Sequence, residues 1–273
     1  MAKSSHGYAR NARPGGEGAD RAAKRKAVVD AFEASGGTYG HGRMHAQVNA
    51  SGDMRVGERT VRGVMEEEGL AARVARKRRR HGSYQGETSE APDNLLRDER
   101  GRHDFRADRP NEKRATDVTE LRIPAGKACL SPIVDCFDGM PPGWSISTSP
   151  DAEMANSSLP GACELLGEGD HPLTHGDRGC HYRWPGWIGI CEKHGLVRSM
   201  SRKGRGPDNS RCEGFFGRLK AGYFYGCDWD GVTVKEFADM LDAYLRWHGD
   251  VRIKSDLGYM SPGQYRESQG LAA

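Results

Sequence analysis

The sequence predicts an α/β protein, a mixed sheet flanked by helices and preceded by a small helical domain that resembles a helix-turn-helix. Three observations carry this. Three β-prone runs between residues 116 and 148 are separated by turn residues at hairpin-like intervals, and a helix, a short strand and further helices follow. Before residue 70, apolar positions recur at helical spacing in three short segments. Between these stretches stands a run of six basic residues in eight.

The first 22 residues are Gly-, Arg- and Ala-rich without periodicity and read as a disordered tail. Ala27, Val28, Ala31 and Phe32 then mark a helix over Arg21–Ala34, ended by Gly36-Gly37. A second short helix is expected over Arg43–Ala50. A third is expected over Glu58–Glu68, with Val61, Val64 and Met65 on one face and Gly69 as its stop. On spacing alone a generic helical pair fits as well as a helix-turn-helix. Arg73, Arg76, Lys77, Arg78, Arg79 and Arg80 follow directly. A solvated linker is the plain reading of such a run. Neutralising several phosphates at once is the stronger one, because it yields sequence-independent DNA affinity. Domain boundaries are expected at 23–82 for this region with its basic tail, 83–112 for a linker, 113–268 for the core with a C-terminal helix, and 269–273 for a tail.

Charge is divided the same way. Residues 1–82 hold 17 Lys/Arg against 9 Asp/Glu, net +8, and the remainder is net −5 within a total of +3. A basic front and an acidic body point to a polyanion partner and to acids used for something else downstream. No apolar stretch approaches the roughly 20 residues of a membrane span, and the first residues lack an apolar signal region, so a cytoplasmic location without membrane contact is expected. Seven cysteines with no CxxC pair argue against a disulfide framework. His171, His175, Cys180 and His181 are a weak zinc set, because structural zinc sites show close ligand pairs.

Within the core, strands are expected at Thr116–Ile123, Ala128–Phe137, Trp144–Thr148 and Pro172–His175. Helices are expected around Glu153–Leu166, Trp184–Lys193, Asn209–Gly222 and Val234–His248. Asp117 then lies on the first strand, Asp177 just after the fourth, and Glu213 on a helix, with 35 residues between the last two. One acid alone is more often a surface charge. Three at those positions can converge as hard oxygen ligands for two Mg²⁺ or Mn²⁺ ions, leaving room for water and a phosphate. Lys220 is seven residues beyond Glu213, two turns on and on the same helical face, where it could position DNA. Arg178 could do the same, whereas His175 reads as a structural residue at a strand end.

The segments THGDRGCHYRWPGW, SMSRKGRGPDNSRCEGFFGRLK and RIKSDLGYMSPGQYR resemble the OrfB-type transposases of a large insertion-sequence family, whose core is of the retroviral-integrase, RNase H-like kind. TYGHGRMHAQV…RTVRGVMEEEGL resembles the helix-turn-helix ahead of that core. The likeness runs from about residue 24 to 268. It implies that Asp117, Asp177 and Glu213 are the catalytic DDE acids, that Asn209 and Lys220 line the DNA, and that the activity is cleavage at element ends followed by transfer of the freed 3′-hydroxyl. It also implies a homo-oligomer and a fusion with a smaller upstream OrfA-type protein. Three positions depart from the family pattern: Arg114 stands for a Trp, Gly222 for a Glu, and His248-Gly249 for a Tyr-Asn pair. Two other functions compete, a relic that only binds DNA and a nuclease for RNA–DNA hybrids. An intact acid triad argues against the first, and the basic front end against the second.

Overall fold

The computed structural model describes residues 16–50, 52, 54–73, 91–98, 100–202 and 206–271. The chain divides into two units, Met1–Val74 and Ala75–Ala273. No helix among the described residues is long and apolar enough to cross a membrane.

The first unit consists of α1 (Gly16–Ala34), α2 (His41–Asn49) and α3 (Glu58–Glu67). Apolar residues at helical spacing build its core: Val28 of α1, Met44 and Val48 of α2, and Val61, Val64 and Met65 of α3 are all buried. The Asn49 side chain clasps the turn between α2 and α3. Its Nδ2 donates to Val56 O at 3.0 Å, and its Oδ1 accepts from Val56 N at 2.8 Å. Of the basic run, only Arg73 lies among the described residues; it is exposed, and its N–H donates to Gly37 O at 3.1 Å. Arg76, Lys77, Arg78, Arg79 and Arg80 lie outside them.

The second unit is built on β1 (Lys113–Thr116), β2 (Thr119–Ile123), β3 (Gly126–Asp135), β4 (Gly143–Ser147), β5 (Leu173–Gly176) and β6 (Val197–Met200). β3 runs antiparallel to β1, β2 and β4, while β5 is parallel to β1 and β6 to β5. The single strand expected over Thr116–Ile123 is thus two strands on one register line. Thr116 opposes Ile133 and Thr119 opposes Leu130, so the interruption at 117–118 falls level with Pro132 and Ser131. Proline has no N–H to give the ladder, and pairing on this side of β3 breaks there, whereas on the β4 side it continues through Pro132 opposite Trp144. Asp117 is thereby released from regular pairing.

Helices cover both faces. α4 (Ala152–Ser157), α5 (Leu159–Glu164) and α6 (Pro185–Lys193) enclose one core, with Ile133, Leu159, Tyr182, Trp187 and Met200. α7 (Ser210–Leu219) and α8 (Val234–Asp250) enclose the other, where Ala115, Leu130 and Val134 meet Phe215, Phe216, Phe237 and Leu241. The alternation of Leu130 and Val134 with Ile133 follows the period-two pleat. α9 (Pro262–Ser268) ends the unit.

The expected helix Glu153–Leu166 is split at Ser158, because Pro160 cannot donate and its ring obstructs the carbonyl four residues back. The expected helix Asn209–Gly222 keeps α-form to Leu219 and then widens into a π turn over Lys220–Phe224, closed by Tyr225 N–H on Lys220 O at 2.8 Å. β6 was not anticipated. It has only four residues, too few for a legible alternation. Residues 91–98, within the expected linker, lie against it: Met200 N donates to Asp93 O at 3.3 Å and Leu95 N to Ser199 Oγ at 2.9 Å. That covers a sheet edge that would otherwise be open.

Candidate active site

Asp117 follows β1 and Asp177 follows β5 directly. In the parallel register Arg114 pairs with Thr174 and Ala115 with His175, so continuing two residues on both strands brings Asp117 level with Asp177. Side-chain parity puts both on the face of Ala115, towards α7. Each carboxylate is oriented by a backbone N–H: Val118 N donates to Asp117 Oδ1 at 2.8 Å, and Gly179 N to Asp177 Oδ1 at 2.8 Å. Gly179 permits that close turn, since a Cβ there would stand 2.7 Å from Asp177 Oδ1. Gly179→Ala is therefore expected to swing Asp177 out of place and weaken any ligand the pair shares, measurable as lost divalent-metal affinity with the melting temperature little changed.

The pair is electrostatically costly. Burial first, then the charge of Asp177, pushes the Asp117 carboxyl up to about 8, with Glu213 adding to the rise and the Val118 N–H and Lys220 opposing it. Burial raises Asp177 too, against the Gly179 N–H and His181. Tyr182, fully buried on the Thr116 side of the sheet, has its phenol pushed well up by burial and by both aspartates.

A folded-state value above the ordinary one for an acid means that the folded protein holds the proton more tightly than the unfolded chain. The stabilisation is full below about pH 4 and is lost as pH rises through about 8. The metal-free protein is expected to melt at progressively lower temperature from pH 5 to 8 on this account, a slope that Asp117→Asn should flatten in a thermal-shift series.

Glu213 is exposed on α7. Asn209, one turn before it, donates from Nδ2 to Thr116 O at 3.0 Å, which ties the start of α7 to the end of β1. Glu213 shares that side of the helix and reaches Asp117 electrostatically. Among the described residues, however, no three His, Cys, Asp or Glu side chains stand close enough to share one metal ion. The structure thus brings Asp117 and Asp177 together, with Glu213 beside rather than inside the pair.

Lys220 is buried, and its Nζ donates to Thr119 Oγ1 at 2.6 Å and Glu120 O at 3.1 Å, just past the strand break. Arg178 is exposed next to Asp177. Asn209 Oδ1 is buried with no hydrogen-bond partner among the described residues. His175 is structural, as expected. Its Nδ1 meets Ser199 Oγ at 2.8 Å and its Nε2 meets Asp208 O at 3.0 Å, and burial holds it at about 4. The weak zinc set is dispersed: His171 Nδ1 contacts Gly195 O, and Cys180 lies 3.8 Å from His181. All seven cysteines are free thiols.

A helix-turn-helix-like family model, described as HTH-like domain, matches residues 19–78, and models described as Integrase core domain match residues 107–206 and 213–269. A probable transposase for insertion sequence element IS1353 of Shigella flexneri is 47% identical over 247 residues, 90% of this chain and 47% of that protein. A putative transposase, InsK, for insertion sequence element IS150 of Escherichia coli (strain K12) is 33% identical over 242 residues, 89% of this chain and 82% of that protein. The chain belongs to the insertion-sequence transposases with an integrase core. It spans about half the length of the IS1353 transposase (47%). Among solved structures, the catalytic core of HTLV-2 integrase in complex with magnesium is similar at 19% identity and a TM-score of 0.42, covering 57% of this chain and 96% of that one.

In this transposase the departures from the family pattern are absorbed by packing. Arg114 is fully buried, with Nη1 on Ala162 O at 2.8 Å and Nη2 on Asn111 Oδ1 at 2.6 Å. His248 packs edge-on to Phe215 with centroids 5.2 Å apart. A Cβ at Gly249 would meet Met140 Sδ at 2.7 Å, so the larger residue expected there has no room. Gly222 is buried in the π turn.

The sequence reading missed the supporting residues. Pro132 and Gly179 shape the acid pair, and both carry a signal in the sequence: a proline inside an apolar strand, and a glycine two residues past an aspartate. Asp135 and Asp138, outside every expected site, receive Arg266 of α9. Arg266 Nη2 lies 3.1 Å from Asp135 Oδ2 and Nε lies 2.6 Å from Asp138 Oδ2, all three side chains being buried.

Proposed function

We propose that this transposase cleaves and joins DNA strands at the ends of its insertion sequence, using divalent metal held by Asp117 and Asp177 and completed by Glu213 from α7. The observation that carries the reading is the aspartate pair itself: two half-buried carboxylates level with each other at the ends of adjacent parallel strands, whose like charges repel. That donor set, all hard oxygen with one atom of each carboxylate already fixed by a backbone N–H, suits Mg²⁺ or Mn²⁺. The chemistry that two bound ions supply there is activation of the attacking oxygen and stabilisation of the leaving one.

The chain's own residues do the positioning. Val118 N–H and Gly179 N–H set the carboxylates, and Asn209 holds the start of α7 against β1 so that Glu213 faces the strand ends. Arg178 and the basic residues Arg73, Arg76, Lys77, Arg78, Arg79 and Arg80 supply phosphate contacts. Lys220 acts from beneath, offsetting the charge on Asp117. The working assembly is a homo-oligomer, in which an OrfA-type upstream partner adds end recognition.

The test is strand joining with labelled element ends and Mn²⁺, run on the wild type and on Glu213→Gln. Loss of joining in the variant supports the three-acid site. One observation favours a second reading, a relic that binds DNA without cutting it: Glu213 stands apart from the pair in a way that leaves no three-ligand group among the described residues. Wild-type protein that binds element ends yet joins none at any Mn²⁺ concentration would select that reading.

A further inference from the structure

α7 has a second charged side. Arg211 and Arg218 are seven residues apart, two turns, and so share a side, whereas Glu213 lies roughly 160° round the helix from Arg211. Two more cations, Arg252 and Lys254, reach that side from the segment after α8. Gly139 fixes the geometry. A Cβ there would stand 2.5 Å from Lys254 Nζ and 3.5 Å from Arg211 Nη2, so both tips bear on one spot, and a glycine in the left-handed region (φ 77°) leaves it open. Lys254 Nζ donates to Asp138 O, and Arg211 Nη2 to Cys136 O at 2.8 Å. Arg218 is exposed and folds back over Gly214, where a Cβ would lie 3.3 Å from its Nη1.

The cluster holds more cations than counter-charges. Asp138, which pairs with Arg266, acts on Lys254, and Asp256 acts on both Arg218 and Lys254. Arg211 Nε and Arg252 Nε are buried with no hydrogen-bond partner among the described residues, and Arg252 itself is 4% exposed. Desolvation of the guanidinium, then Arg211 and Arg252, pushes Arg218 down; burial, with Arg211 and Arg218 opposing Asp256 and Asp138, holds Lys254 at about 8. Four mutually repelling cations with unused donors are what a bound anion would relieve.

We propose that Arg211, Arg218, Arg252 and Lys254 form a phosphate-binding site for the backbone of duplex DNA, separate from the acid pair. It lies on the other side of α7 from Glu213, so the phosphates it holds belong to a stretch of DNA other than the one being cut. The proposal rests on the reading that the chain acts on DNA.

The experiment is anisotropy of the full chain on a short labelled duplex of arbitrary sequence, across a series of salt concentrations and without metal. Arg218→Gln, at an exposed position that spares the fold, is expected to flatten the slope of log affinity against log salt by roughly 0.9 for each phosphate it no longer neutralises. Arg211→Gln should flatten it likewise, while Arg218→Lys keeps the wild-type slope. Wild-type slopes in both Gln variants would overturn the site while leaving DNA binding intact. A wild type that binds no duplex would instead overturn the functional reading beneath it. Stabilisation of the wild type by inorganic phosphate, abolished in Arg218→Gln without any change in the DNA slope, would assign the cradle to free phosphate and overturn the duplex assignment.

Discussion

Asp177→Asn is expected to reduce strand joining by about 10³-fold or more while raising the melting temperature of the metal-free protein. The loss follows if a bound ion supplies several kcal/mol of transition-state stabilisation, at about 1.4 kcal/mol per tenfold in rate. The gain follows from removing one of two half-buried like charges: Asp177 is the largest charged contributor to the upward shift of Asp117. Each kcal/mol of repulsion relieved is worth roughly 2–4 °C in a unit of this size. The opposite signs of the two effects matter. A residue that merely holds the fold together would lose both activity and stability, whereas a metal ligand trades one for the other. Joining assays and thermal shift on the same preparation check both, and undiminished joining by Asp177→Asn would remove that residue from the site.

The second large effect is structural. Arg266→Ala is expected to cost about 3–5 kcal/mol, the range for breaking a buried ion pair by removing one partner. That corresponds to a fall of roughly 6–20 °C in melting temperature. Arg266 reaches from α9 into the turn after β3, and its removal leaves Asp135 and Asp138 buried with only the N–H groups of Asn111, Phe137 and Met140 as donors. Arg266→Lys should recover little, because one ammonium cannot replace a fork that meets both carboxylates. Chemical denaturation of the three proteins measures this directly. α9 is set for the task by a capping box, Ser261 with Gln264, and by Ser261 Oγ on Asp250 O at 2.8 Å. The SPGQYR segment, legible in the sequence only as a resemblance, thus acquires a physical role as the clamp of the C-terminus.

Much of the architecture could be read from periodicity. The three N-terminal helices, β3, β4, α6 and α8 stand within a few residues of where apolar spacing and turn signals put them. The reading was least complete where one residue overrides a pattern. Pro132 divides a strand that alternates without interruption in sequence, and Pro160 divides a helix. The π turn at Lys220 lies beyond any spacing rule, because a five-residue closure leaves no mark in composition. Lys220 shows the consequence. Counting two turns from Glu213 puts it on that residue's face of α7, where it could position DNA, yet burial and hydrogen bonds to Thr119 and Glu120 direct it to the strand break rather than to solvent. The aspartate pair was legible as two acids near strand ends. That they stand level on neighbouring parallel strands depends on register, a long-range property that local pattern does not encode. The edge cover at residues 91–98 escaped for the same reason, since its partners lie about a hundred residues away.

Calorimetric titration of Mn²⁺ at pH 7, in buffers of different ionisation enthalpy, measures whether Asp117 and Asp177 hold a divalent metal. With the Asp117 carboxyl near 8 in the metal-free protein, binding must displace its proton. Saturable Mn²⁺ binding with release of about one proton per protein is expected, and loss of both in Asp117→Asn. Binding without proton release, or undiminished in Asp117→Asn, would contradict that assignment.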